Sequence, residues 1–84
     1  MNETFGQRLA RLRKEKGFTQ EDIADKINIS PQAVSKWEND ISSPDVQTLI
    51  TLSDIFEVSL DDLLGKEKKV LRLFHQKKEK ILIK

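Results

Sequence analysis

Eighty-four residues, 37% hydrophobic and 35% charged, make one small domain or a domain with a tail, and a chain this short has a modest core. It has no cysteine, which excludes a disulfide framework or a thiolate metal site and fits a reducing cytoplasm. The net charge of +1 is too small to argue for a polyanionic partner, but its distribution is uneven: −5 over residues 1–65 and +6 over residues 66–84.

No apolar run approaches the roughly 20 residues of a membrane span. The N-terminus, MNETFGQRLARLRKEKG, lacks the apolar block of a signal peptide. The glycosylation patterns Asn2-Glu3-Thr4 and Asn28-Ile29-Ser30 therefore carry no weight. All seven basic residues of the first part lie between Arg8 and Lys36, and seven of its twelve acids between Glu38 and Asp62. That separation predicts a dipole whose basic side is built by the first three helices, and such a field can steer an anion.

A first helix is expected from about Thr4 to Lys16. Phe5, Leu9 and Leu12 form one apolar stripe, Arg8, Arg11, Arg13, Lys14 and Lys16 crowd the rest, and Gly17 ends it. Thr19 caps a second helix, with Asp22 as the partner of a capping box and a Phe18–Ile23 staple. Asn28, tolerant of positive φ, occupies the turn. Ser30 caps a third helix, Pro31 takes its first position, Ile29 can staple Val34, and the helix ends near Asn39. With Ile23, Ala24, Ile27, Ile29, Val34 and Trp37 apolar, Thr19–Asn39 has the spacing of a helix-turn-helix.

Ile41-Ser42-Ser43-Pro44 reads as a loop, and a fourth helix as about Asp45 to Phe56 with Val46, Leu49, Leu52 and Phe56 inward. Ser59 caps a short fifth helix, with Asp62 at its third position and a Val58–Leu63 staple, and Gly65 stops it. The expected core is Leu9, Leu12, Ile23, Ala24, Ile27, Val34, Trp37, Leu49, Leu52, Phe56 and Leu63. The fold class is all-α, a compact five-helix domain over residues 1–65. Residues 66–84 set apolar clusters, Val70-Leu71-Leu73-Phe74 and Ile81-Leu82-Ile83, among lysines. The first suits a turn or two of helix and the second a strand. They form a basic amphipathic tail: a dimerisation arm, a DNA arm or a linker.

The stretch TQEDIADKINISPQAVSKWEN resembles the Cro/C1-type helix-turn-helix, also called the XRE family. The likeness runs from Phe5 to Leu64. It includes Gln20, Ala24, Trp37-Glu38, the Pro44 loop, and Val58-Ser59-Leu60 before Leu63-Leu64. It implies a lambda-repressor-like DNA-binding domain, usually dimeric on a two-fold operator. The chain departs from the pattern at Asn28 and Glu57, where glycine is usual, and at Ser53, where alanine is common.

The third helix, 30–39, can lie in a major groove about 12 Å wide. Val34 and Trp37 face inward, so Pro31, Gln32, Ser35, Lys36 and Asn39 face out. Gln32 suits the N6 and N7 of adenine, and Lys36 suits guanine or a phosphate. Ser35 can reach either, and Pro31 or Ala33 can touch a thymine methyl. Gln20 stands at a helix N-terminus that favours an anion. The resemblance makes it a phosphate contact that also braces the third helix. It implies phosphate roles for Thr19, Asn39 and Ser42, and a structural ion pair between Arg13 and Glu38.

No enzyme is expected. His75 is the only histidine, too few for a metal cluster, and Asp61-Asp62 sit where helix N-termini favour acids. No cofactor and no catalytic residue is called for. The expected function is a sequence-specific transcriptional regulator, a repressor, binding double-stranded DNA as a homodimer. The alternative is a protein-interaction module, such as an antitoxin or adaptor, whose tail 66–84 binds a partner protein.

Overall fold

Each helix begins where a short polar side chain can satisfy its free backbone N–H groups. In the computed structural model, which describes residues 3–65, these starts define α1 (Phe5–Glu15), α2 (Gln20–Ile27), α3 (Pro31–Glu38), α4 (Val46–Phe56) and α5 (Leu60–Leu64). Thr4, Thr19, Ser30, Asp45 and Ser59 are the N-caps, each accepting from the N–H three residues on. At Thr4 and Thr19 the box is reciprocal, closed by Gln7 and Asp22. The helix ends rest on left-handed residues: Gly17 just past α1, Asn28 after α2, Glu57 after α4 and Gly65 after α5.

The apolar stripes meet in one core. Leu9, Ile23, Ala24, Val34, Trp37, Leu52, Phe56 and Leu63 are buried. Leu12, Ile27 and Leu49, also expected inside, are half-buried at its rim with Phe5, Phe18, Ile29, Ile55, Val58 and Leu60. α1 packs on α3 and α5, α2 on α3, and α4 on α5. No strand occurs among the described residues. The all-α, five-helix architecture is thus the one read from the periodicity.

One expected position differs. The apolar stripe predicts Val46 inward on the fourth helix, but it is 68% exposed. Burial rises along α4 from Val46 through half-buried Leu49 to buried Leu52 and Phe56. The helix therefore enters the core with its C-terminal half, and its first turn projects beyond it.

Gly6 marks a close backbone approach between α1 and the end of α3. A Cβ there would lie 2.6 Å from the Trp37 carbonyl oxygen, so α1 can press against the end of α3 only without a side chain. The apolar tails 70–74 and 81–83 lie outside the described residues, as does His75.

Candidate nucleic-acid interface

The angle between α2 and α3 is set first by apolar contact. Ile23, Ala24 and Val34 are fully buried between the two helices and α1, and Trp37 is 7% exposed. Ala24 is small enough for the neighbouring backbone to come close.

A polar cluster then locks the far end of α3. Glu38 accepts from Arg13 Nε at 2.7 Å and Nη2 at 3.1 Å, a bidentate pair. Arg13 Nη1 donates to the Phe18 carbonyl at 2.9 Å, and Gln20 Nε2 donates to Glu38 Oε1 at 3.0 Å. The Arg13 and Glu38 side chains are only 12% and 7% exposed. α1, the first turn of α2 and the last turn of α3 thus meet at one carboxylate, and Arg13 ties the loop before α2 to the same cluster. Arg13 is fully engaged inside the domain. Gln20 keeps its amide oxygen and a second N–H, so it can brace α3 and still meet an anion.

The residues expected to touch DNA lie on one strip of chain. Gln32 and Lys36 are exposed on α3, and Pro31 and Ser35 are half-buried beside them. Thr19 and Ser42 are exposed at the start of α2 and after α3, and Gln20 is half-buried. Thr19 Oγ1 accepts from the Asp22 N–H at 3.0 Å, which holds the side chain at the start of α2. Asn39 is exposed, with its amide folded back along its own helix. Its Nδ2 donates to the Ser35 carbonyl at 2.8 Å, so its donors must rotate away before they can reach a phosphate.

The electrostatics refine the expected basic side. Arg11 is paired with Glu3 at 2.7 Å and Glu15 at 3.1 Å, and Lys16 lies 3.6 Å from Glu57. Arg8, counted with the solvated basic face, is instead only 12% exposed, 3.4 Å from Glu3 and against Gly65. Lys26 stands 4.8 Å over the Phe18 ring. Among the described residues, Lys14 and Lys36 have no carboxylate within 4 Å, so the positive field on this side rests chiefly on them and on Lys26.

One organising residue was missed. Asp40 follows α3 at φ +59°, and its carboxylate reaches back to the start of α1. Oδ1 accepts from the Gly6 N–H at 2.9 Å and Oδ2 from the Thr4 hydroxyl at 2.7 Å. It ties the loop after α3 to the N-terminus of α1. The only local signal is the turn-prone Asn39-Asp40 pair, because its partners lie 34 and 36 residues away. Among the described residues, no group of three or more His, Cys, Asp or Glu side chains could hold a metal ion. No helix there is long and apolar enough to cross a membrane.

The same framework recurs in known proteins. The Helix-turn-helix family model matches residues 9–63. The HTH-type transcriptional regulator ImmR of Bacillus subtilis is 42% identical over 64 residues, covering 76% of this chain and 50% of the relative. The chain thus spans about half the length of that curated relative. The crystal structure of the P22 c2 repressor in complex with a synthetic operator superposes with a TM-score of 0.72 at 27% identity, covering 79% of this chain and 100% of that one. A SinR–SinI protein complex superposes with a TM-score of 0.66 at 27% identity, covering 84% of this chain and 75% of that one. With the two capped helices at a fixed angle, the outward strip on the second, and a family match over most of the described residues, the chain belongs to the helix-turn-helix family of Cro/C1 (XRE) type.

Proposed function

We propose that the protein is a sequence-specific DNA-binding transcriptional regulator, a repressor, that binds a two-fold operator as a homodimer with α3 in the major groove. One observation carries the reading. α3 is held at both ends, by the α2 core and by the Arg13–Glu38–Gln20 cluster, while Gln32 and Lys36 remain exposed between them. A helix so fixed can present side chains to base edges at low entropic cost. The similarity to a repressor structure that holds its operator supports the same assignment.

In this reading Gln32 bonds adenine, Lys36 bonds guanine or phosphate, and Ser35 and Pro31 make smaller contacts. Thr19, Gln20 and Ser42 grip the backbone, joined by Asn39 after its amide turns outward. Few base contacts and many phosphate contacts make the affinity fall steeply with salt. A dimer places its two half-sites about 34–36 Å apart on one face of the duplex.

A fluorescence anisotropy titration against the protein's own promoter region tests this. Tight binding at moderate salt and weak binding to a scrambled duplex are expected. Gln20→Ala lowers affinity for both duplexes alike, whereas Gln32→Ala narrows the gap between them. Equal affinity for the two duplexes with the wild-type protein overturns the reading.

The SinR–SinI likeness favours a second reading, in which residues 66–84 dock on a partner protein and the helical domain serves autoregulation. Measuring the mass of the protein mixed with the product of the adjacent gene distinguishes the two. A partner bound at nanomolar affinity favours the second, and an unchanged mass rejects it.

A further inference from the structure

A small apolar hollow of about 220 Å³ opens between α1, the loop after α3, α4 and α5, beginning one residue past Ser42 at the end of the strip assigned to DNA. Phe5, Pro44, Leu49 and Leu64 line it, with Ser43 at the edge. Its size suits one or two side chains. A standard protein–protein interface needs about 800 Å² from each partner, far more than this hollow offers. A free partner therefore gains too little here to bind. A segment of the same chain does not face that cost, because a short tether gives it an effective concentration of about 1 mM.

The chain supplies such a segment at the right place. Leu64 lines the hollow, and Gly65 beside it is the last described residue. Five residues further on comes Val70-Leu71-Leu73-Phe74, within the roughly 17 Å that five extended residues span. The charges match as well. Asp45, Asp54, Glu57, Asp61 and Asp62 are exposed on α4, α5 and their caps, while residues 66–84 carry +6. We propose that Val70–Phe74 folds back into this hollow of its own molecule, its apolar side chains on Phe5, Leu49 and Leu64, and its Arg72 with the flanking lysines Lys68, Lys69 and Lys77 towards the acids of α4 and α5. Docked there, it braces the Ser43-Pro44 loop and leaves Ile81-Leu82-Ile83 free for another surface.

The absence of cysteine makes the test direct. Gln76→Cys in the full chain gives a single attachment site for a nitroxide label. In ¹⁵N spectra the amides of Phe5, Leu49 and Leu64 should lose most of their intensity with the label oxidised and regain it on reduction. Labelled ¹⁴N protein mixed with unlabelled ¹⁵N protein should leave those signals intact, because docking is within one molecule. Adding Leu71→Asp and Phe74→Asp should restore the signals while the other cross-peaks show the domain still folded. No loss in the labelled chain overturns the proposal. Equal loss in the mixed sample assigns the hollow to a second copy and also overturns it. Loss that survives the two aspartates shows that apolar docking is not the cause.

Discussion

Glu38 is the acceptor on which three elements converge, and replacing it by methionine isolates what that convergence is worth. The substitution keeps the length of the side chain and removes the charge. Arg13 Nε and Nη2 and Gln20 Nε2 then lose their acceptor, while Arg13 Nη1 keeps the Phe18 carbonyl. The guanidinium stays where it is, 12% exposed, with its charge uncompensated. Breaking a buried pair from one side costs about 3–5 kcal/mol. A domain of this size has about 3–10 kcal/mol in total, so Glu38→Met should leave it near its threshold. Urea unfolding followed by circular dichroism reads the loss, with the single tryptophan, Trp37, next to the site as a second probe. Arg13→Met alone should cost less, because Glu38 keeps the Gln20 amide. The double variant should recover much of the loss, giving a coupling energy of about 2–3 kcal/mol. A cost below about 1 kcal/mol for Glu38→Met, the value of an exposed pair, would refute the reasoning. So would a double variant whose loss equals the sum of the two singles.

Three further outcomes follow from the geometry. Gly6→Ala sets a methyl group 2.6 Å from the Trp37 carbonyl, so it should destabilise by about 1–3 kcal/mol in the same urea assay. Glu57→Gly relieves a side chain at φ +58° for the loss only of an exposed ion pair with Lys16, and should raise stability by about 0.5–1 kcal/mol. The Thr19 backbone N–H holds the Asp22 carboxyl below its ordinary 3.8, and the Thr48 hydroxyl and N–H do the same for Asp45. Their contribution is therefore complete above the ordinary value and is lost as pH falls through the lowered folded value. Thermal melts should show stability declining below about pH 4, and Asp22→Asn should flatten that decline.

What could be read from the chain was what is local in it. The Thr19–Asp22 box, the Ser59 cap, the Ser30-Pro31 start and the stops at Asn28 and Gly65 involve near neighbours in the chain, and each stands where the local pattern places it. The apolar spacing, with the Val58–Leu63 staple, pointed to all eight residues of the buried apolar cluster. What escaped depends on elements meeting. Asp40 caps α1 from 34 residues away, and Gly6 is needed only because the end of α3 comes so close. Arg8 reads as one more exposed base until Glu3 and Gly65 enclose it. Val46 fits the apolar stripe of α4, yet the core ends before its turn. Glu57 departs from the glycine that the resemblance implies, and its left-handed φ gives the physical reason for that expectation. At the interface the outward set on α3 followed from the inward pair Val34 and Trp37. The folded-back amide of Asn39 did not, because it depends on a rotamer choice.

The central claim is that α3 reads base sequence, and selection from a pool of random duplexes measures it most directly. The wild-type protein should enrich two inverted half-sites one helical turn apart, and Gln32→Ala should erase an adenine preference at one position of each half while keeping the rest. No enriched sequence, or an identical consensus from the Gln32→Ala variant, would contradict the account.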